Sequence, residues 1–371
     1  MIKRGFEHLL LLCVLACPGA PCTAASPAEH TGILRNWVLS LHSWAVPRYA
    51  NLLASATQLS DTLDSVCMRP PTPKSIAALQ SRWVGTMLQW RELEALQFGP
   101  TLTRRSSKII DFWPTRPSVI ELAVAATKDQ PVSGADADEA MQRWGTAAKG
   151  LPALEWLVYA EAGQTPPILR TPGHCLYARR LARGVVDESS RLHAAWQLES
   201  ARWATASASE LQTAAHDVLN LLVGSCELIR GKKMQKAAQL VALRGRDSAP
   251  ANAFDSTRSA KSRRFLLAHF DGLAQMLVGH SLAESRAANG PGISLVDVLK
   301  LEGHEELARE LTGSAKRASV ALVALPASPL AWSIARMTTA TDALRDLRAV
   351  LDPRISVLLG VTVTFSDADG D

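Results

Sequence analysis

Apolar residues recur at helical spacing along most of the chain. Leu79, Trp83, Met87, Trp90 and Leu93 follow one another at intervals of four and three residues, which is typical of an amphipathic helix facing a core. Six tryptophans form pairs seven residues apart, and each pair therefore shares one helix face: Trp37/Trp44, Trp83/Trp90 and Trp196/Trp203. We interpret these tryptophans as core packing rather than as a ligand-stacking platform.

This periodicity predicts an all-α protein built of antiparallel helical bundles. The predicted helices cover residues 30–66, 73–97, 136–161, 174–203, 207–230, 257–287, 294–324 and 330–359. Only residues 360–365 alternate β-branched and other side chains as a strand does. An Ala/Ser-rich break at 204–209 predicts a boundary between two bundle domains, residues 28–205 and 206–371.

The first 25 residues have the pattern of a signal peptide. Lys3 and Arg4 precede the apolar run Leu9–Ala16, which is too short to span a bilayer. Two outcomes of processing stay open. Residues 14–17 resemble a lipobox that would acylate Cys17 and tether the protein to a membrane, whereas cleavage after Ala25 would release it into the periplasm. Either outcome places the protein in the cell envelope, with a lipid anchor as its only contact with the membrane.

Composition excludes several classes of protein. Of the 371 residues 47% are hydrophobic and 20% charged, a balance that favours a folded core over disorder. The net charge of +5 is too small to indicate a nucleic-acid partner. Basic clusters at 179–183, 230–236 and 261–264 lack interleaved aromatic residues, and we interpret them as solvated faces.

Three cysteines lie beyond the leader and its junction. Cys67 and Cys175 fall at the ends of predicted helices, and an exported protein meets an oxidising compartment. We therefore predict a disulfide between them. Cys226 lies inside an apolar helical pattern, which predicts a buried thiol.

Three segments resemble, in order and spacing, the imelysin-like family of bacterial envelope proteins. They are residues 95–100 with 110–114 (ALQFGP and IDFWP), residues 149–159 (KGLPALEWLVY) and the ending 359–371 (LGVTVTFSDADGD). The resemblance runs from about residue 30 to the last residue. It implies two helical bundle domains with a groove between them.

The family motif GxHxxE maps onto Gly150, Pro152 and Glu155, so proline replaces the histidine. Proline offers no lone pair to a metal, and its ring either kinks a helix or begins one. The resemblance then leaves oxygen ligands, Glu155 with Asp111 and with Asp369 or Asp371. Carboxylate-only sites suit hard cations such as iron(III) or calcium, and the sequence leaves the identity of any cofactor open.

Arg258-Ser259 resembles an Arg-Ser pair of the family. A guanidinium at this place would clamp Glu155 or an anionic group of a ligand in the groove. The alternative is an arginine that caps the preceding loop.

Three functions follow from the resemblance. The first is a binding protein that acts with iron-uptake proteins of the envelope and holds a metal, a metal complex or an acidic glycan. The second is a metallopeptidase, which needs a firmly held cation and a general base; Pro152 and the lack of an HExxH motif disfavour it. The third is a structural or partner-docking helical protein.

Overall fold

The computed structural model describes residues 26–127, 143–161, 163–245, 254–282 and 290–359. Within these ranges the chain forms helices and turns and no β-strand, so the all-α fold is confirmed. None of the helices described is long and apolar enough to cross a membrane. The leader with Cys17, the predicted strand 360–365, Asp369 and Asp371 lie outside the described residues.

The helices have the following bounds. They are α1 Pro27–Met68, α2 Pro73–Leu93, α3 Pro100–Thr103, α4 Ser106–Ile110, α5 Pro117–Thr127, α6 Gly150–Val158, α7 Pro172–Ala204, α8 Ala208–Glu227, α9 Lys236–Arg244, α10 Ser262–Val278, α11 Leu295–Leu301, α12 Glu305–Val323, α13 Ile334–Ala349 and α14 Ser356–Leu358. Two π-helical segments, Leu228–Gln235 and Val350–Ile355, continue α8 into α9 and α13 into α14.

Local sequence fixes where the long helices begin. Ser26, Thr72 and Ser207 each cap a helix, and the residue three positions later completes a capping box. Both partners thereby satisfy backbone N–H groups that have no acceptor within the helix. Proline occupies the first position of α1, α2 and α7, where its missing N–H costs nothing.

Some predicted helices differ from the observed ones. Of the helix predicted over 136–161, residues 136–142 lie outside the described residues, 143–149 form turns with one 3₁₀ segment, and α6 begins at Gly150. The helix predicted over 257–287 begins at Ser262 because residues 255–260 form turns. The helix predicted to end at 230 continues to Arg244 through the π segment. The predictions missed the short helices α3, α4 and α5, whose length gives little periodicity.

The long helix α1 packs along α7 and α2 and forms the centre of the N-terminal half. Trp37, Trp83, Trp90 and Trp196 are at most 1% exposed, so their interpretation as core residues is confirmed. Trp83 donates its indole N–H to the carbonyl of Leu151 at 2.8 Å, which ties α2 to the start of α6. Trp83 is therefore anchored by a polar contact as well as by its buried area.

The two halves meet where α10 crosses α2. A Cβ atom on Gly272 of α10 would lie 2.1 Å from the carbonyl oxygen of Glu92 on α2, so only glycine permits this approach. α1 also packs against α8, and one continuous apolar cluster extends through both halves. The division into domains near residue 205 stays a prediction.

A disulfide joins Cys67 to Cys175 with their Cα atoms 5.6 Å apart, the pair expected from their positions at helix ends. It links the C-terminal end of α1 to the first turn of α7. Cys226 is a buried free thiol, as the apolar pattern around it indicates.

Removing this disulfide should destabilise the protein. The bridge spans a sequence separation of 108 residues, and closing so long a loop reduces the entropy of the unfolded chain by an amount worth about 2–5 kcal/mol in proteins. We expect Cys67→Ser/Cys175→Ser to lower the free energy of unfolding by that amount in denaturant titrations. Reductant should lower the denaturant concentration at the midpoint of unfolding for the wild type and leave that of the double variant unchanged. A wild-type midpoint that is insensitive to reduction would contradict the prediction.

Candidate functional site

The short helix α6 carries the degenerate motif and lies against the backbone before Asp111. Gly150 has a φ of 73°, and a Cβ atom there would lie 2.4 Å from the carbonyl oxygen of Ile110. Pro152 occupies the third position of α6, where its missing N–H has no partner within the helix in any case. The proline therefore lies in the first turn of a new helix and does not kink a longer one.

Glu155 is buried, with 8% of its surface exposed, and its Oε1 accepts the backbone N–H of Ser259 at 2.8 Å. Burial raises the pKa of Glu155 to about 7, although the hydrogen bonds from Ser259 act in the opposite direction. The expected ion pair with Arg258 is not formed. Arg258 instead donates from Nε to the carbonyl of Tyr159 at 2.7 Å and from a terminal nitrogen to Glu161 at 3.3 Å.

Two guanidinium groups lie over the indole ring of Trp156, next to Glu155. The Cζ atoms of Arg258 and Arg170 are 5.4 and 6.0 Å from the ring centroid. Burial lowers the pKa of Arg258, as does repulsion by Arg170, while Glu161 and Glu155 raise it. Two like charges thus lie near one aromatic ring at the edge of the site.

Asp111 is held by cations and donors of this chain. Its two carboxylate oxygens lie 2.7 and 3.2 Å from the terminal nitrogens of Arg91, and Trp90 donates its indole N–H at 3.0 Å. Burial raises the pKa of Asp111, and Arg91 opposes the rise. Arg91 also binds Asp255, which comes from the turn before α10.

One carboxylate oxygen of Glu94 contacts three side chains. Its Oε2 lies 2.8 Å from Arg91, 2.6 Å from Lys233 Nζ and 3.1 Å from His269 Nδ1. The other ring nitrogen of His269 lies 2.8 Å from the hydroxyl of Ser225. Burial lowers the pKa of His269 to about 4, so the imidazole is neutral at physiological pH.

These side chains form one buried unit, which we name the charge cluster: Arg91, Glu94, Asp111, Lys233, Asp255 and His269. The first three come from the N-terminal half and the last three from the C-terminal half. Two cations face three carboxylates. Asp255 also lies near enough to Glu155 to raise its pKa, which couples the motif helix to the cluster.

Sequence reasoning found Asp111 and missed the rest of the cluster. Lys233 and Arg180 belong to basic runs that we interpreted as solvated faces, and this interpretation is wrong for both, since the Lys233 side chain is 9% exposed and Arg180 is 2% exposed. One available signal was the sequence Arg91-Glu92-Leu93-Glu94, which continues the buried stripe of α2 past Trp90.

The described residues do not fit a resident metal ion. No group of three or more His, Cys, Asp or Glu side chains among them is arranged to hold one. Asp111 and Glu94 already contact Arg91 and Lys233, and Glu155 accepts a backbone N–H. Asp369 and Asp371, which we expected to contribute ligands, lie outside the described residues.

Comparison with known proteins identifies the family. The sequence profile of the Imelysin family matches residues 45–352. The chain belongs to the imelysin family. Two solved structures share the fold of this imelysin-family protein, each with a TM-score of 0.70 and 16% identity. No curated protein matches the chain.

The first of these structures is an imelysin-like protein from Psychrobacter arcticum 273-4, for which the alignment covers 92% of this chain and 98% of that one. The second is named a "putative iron-regulated protein A precursor" from Parabacteroides distasonis ATCC 8503, with coverage of 89% and 95%. At this identity the likeness establishes the fold alone.

Gly150→Ala should be strongly destabilising. The new methyl group would collide with the carbonyl of Ile110, and alanine disfavours a φ of 73°, so we expect a loss of more than about 2 kcal/mol in the free energy of unfolding. Gly85→Ala is the matched control, because this glycine lies inside α2 with nothing within 4 Å of the added atom. The control should be neutral or stabilise by about 0.5–1 kcal/mol. Equal effects of the two substitutions in denaturant titrations would contradict this account.

Glu155→Gln should change how stability depends on pH. The raised pKa of Glu155 in the folded protein, about 7 against 4.5, means that the folded state keeps a proton that the unfolded state releases. Wild-type stability should therefore fall relative to the variant as the pH rises from 4.5 to 7, by about 3 kcal/mol in total.

The control for this titration is Glu161→Gln, since that side chain is 63% exposed. Its stability should follow the wild type over the same range. Parallel pH profiles for wild type and Glu155→Gln in thermal or denaturant unfolding would show that Glu155 is not protonated near pH 7.

Proposed function

We propose that this protein is an exported binding protein of iron acquisition, which takes up iron as an anionic complex. One observation carries the proposal: Arg258 and Arg170 share the ring of Trp156, directly beside the buried motif residue Glu155. Family membership and the fold shared with a neighbour named as iron-regulated support the link to iron.

The charges favour an anionic complex over a bare ion. The carboxylates of the charge cluster already face Arg91 and Lys233, which compete with a metal cation for their oxygens. By contrast, Arg258 and Arg170 each contact one exposed carboxylate, Glu161 at 3.3 Å and Glu121 at 3.5 Å respectively. Ion pairs of this kind contribute little free energy and exchange readily.

Guanidinium groups suit the proposed cargo chemically. They bind carboxylates through two parallel N–H donors, and carboxylate-bearing chelators are a common way to keep ferric iron in solution. Trp156 is only 9% exposed, so its ring contributes by holding the two guanidinium groups close together. Iron is the cargo in this proposal and not a cofactor of the protein.

The compartment is part of the proposal. The leader pattern at residues 1–25 and the disulfide both suit an exported protein, and the partners would be iron-uptake proteins of the envelope. The metallopeptidase alternative is less well supported, because the motif histidine is Pro152 and the nearby carboxylates are engaged by cations or by Ser259.

Titration calorimetry with ferric citrate tests this function. We expect saturable binding to the mature wild-type protein. Arg170→Ala/Arg258→Ala should bind at least about tenfold more weakly, because the variant loses two charge-assisted contacts with the anion. Arg336→Ala/Arg345→Ala removes an equal charge from exposed positions on α13 and should bind normally.

Two outcomes would overturn the proposal. Absence of binding to wild type would leave a structural or partner-docking role. Equal binding by Arg170→Ala/Arg258→Ala and by the Arg336→Ala/Arg345→Ala control would place any ferric citrate site elsewhere on the molecule.

A further inference from the structure

A second region, distant in the chain from the motif helix, has the shape of a ligand site. A cavity of about 590 Å³ lies where residues 98–104 meet the last turns of α7 and the first turns of α8. Small-molecule sites in proteins fall in the range of about 300–1,000 Å³. The cavity thus adjoins the connection between the two halves of the molecule.

The inner wall of this cavity is aromatic, and buried polar atoms without partners lie behind its surface. Phe98 and Trp203 line it, and they are 4% and 7% exposed. The indole N–H of Trp203 has no hydrogen-bond partner, and neither has either ring nitrogen of His42, which packs behind these two rings at 5.7 and 6.0 Å between centroids. Native proteins leave few buried polar groups unsatisfied, and each such group calls for an explanation.

The rim of the cavity carries more negative than positive charge. Glu199, Glu210 and Asp217 line it together with two arginines. Arg104 is already neutralised by Glu188, through contacts of 2.9 and 2.8 Å. No cation among the described residues lies within ion-pair distance of Asp217.

The second arginine, Arg202, indicates what kind of ligand group could bind at this wall. The guanidinium of Arg202 lies over the ring of Trp203, 4.9 Å from its centroid, and 3.6 Å from Glu199. Its side chain is 59% exposed, so little packing holds it there. A cation on an aromatic face beside a carboxylate is the arrangement that proteins use to bind organic cations.

We infer that this cavity binds a small organic cation with an aromatic or apolar body, and that Arg202 occupies the place of the ligand's cationic group when no ligand is bound. The ring of Trp203 and the carboxylates of Glu199 and Asp217 would receive the guanidinium or ammonium group. Phe98 and the apolar rim residue Leu198, which is 77% exposed, would cover the body of the ligand. This inference is independent of the proposed role in iron acquisition.

Phenylguanidine and its uncharged analogue phenylurea test the inference on the mature protein. The two probes have nearly the same shape, so a difference in affinity reports on charge. In titration calorimetry at millimolar probe concentration, we expect wild type to bind phenylguanidine and to bind phenylurea much more weakly.

Substitutions in the cavity, each paired with a variant of equal charge elsewhere, distinguish binding in the cavity from a general effect of net charge. Arg202→Ala should strengthen phenylguanidine binding by about two- to fivefold, because the indole face and Glu199 become available. Asp217→Asn should weaken it by a similar factor. Arg191→Ala and Asp61→Asn, at exposed positions away from the cavity, change the net charge equally and should bind as wild type.

The inference fails if phenylguanidine does not bind at these concentrations, or if phenylurea binds equally well. It also fails if Arg202→Ala behaves like Arg191→Ala. A Trp203→Leu variant that still folds, as judged by its thermal unfolding, should lose binding whatever happens at Arg202, and retained binding would likewise overturn the assignment.

Discussion

The buried guanidinium of Arg91 is the interaction on which the arrangement of the two halves depends. Its side chain is 2% exposed and contacts carboxylates from three separate segments: Glu94 after α2, Asp111 after α4 and Asp255 before α10. A buried charge without partners is very costly, and removal of one partner of a buried pair costs about 3–5 kcal/mol. The chain is therefore constrained to bring these three segments to one point.

This constraint explains why the interior holds its own cations. Arg91 and Lys233 balance most of the carboxylate charge of the cluster, and burial keeps His269 neutral. Glu155 receives only hydrogen bonds from Ser259 and the weaker influence of Arg258, and burial raises its pKa. The motif carboxylate thus lacks the direct cation that its neighbours have, and the nearby guanidinium groups of Arg258 and Arg170 lie over Trp156 and bind other acceptors.

Local patterns predicted much of the fold. The stripe from Leu79 to Leu93 and the proline starts of α2 and α7 depend on residues close in sequence, and they fixed both the helices and their buried faces. The cluster could not be predicted in this way, because Arg91 and Asp255 are 164 residues apart and their pairing is a property of the tertiary structure. Lys233 is the clearest case that local sequence could not predict. A basic run is expected to be exposed, but Lys233 lies in the π segment and contacts Glu94.

The same pair of groups, a guanidinium over an indole ring, favours ligands of opposite charge in the two regions. At Trp156 two guanidinium groups lie over one ring, and the carboxylates that they contact are exposed, so we infer that the surplus charge is positive and that an anion completes the site. At Trp203 a single guanidinium faces a rim with three carboxylates, so the surplus is negative and the arginine itself resembles the missing ligand. The aromatic ring positions a cationic group in both places, whereas the number of neighbouring carboxylates decides the sign of the charge that each site accepts.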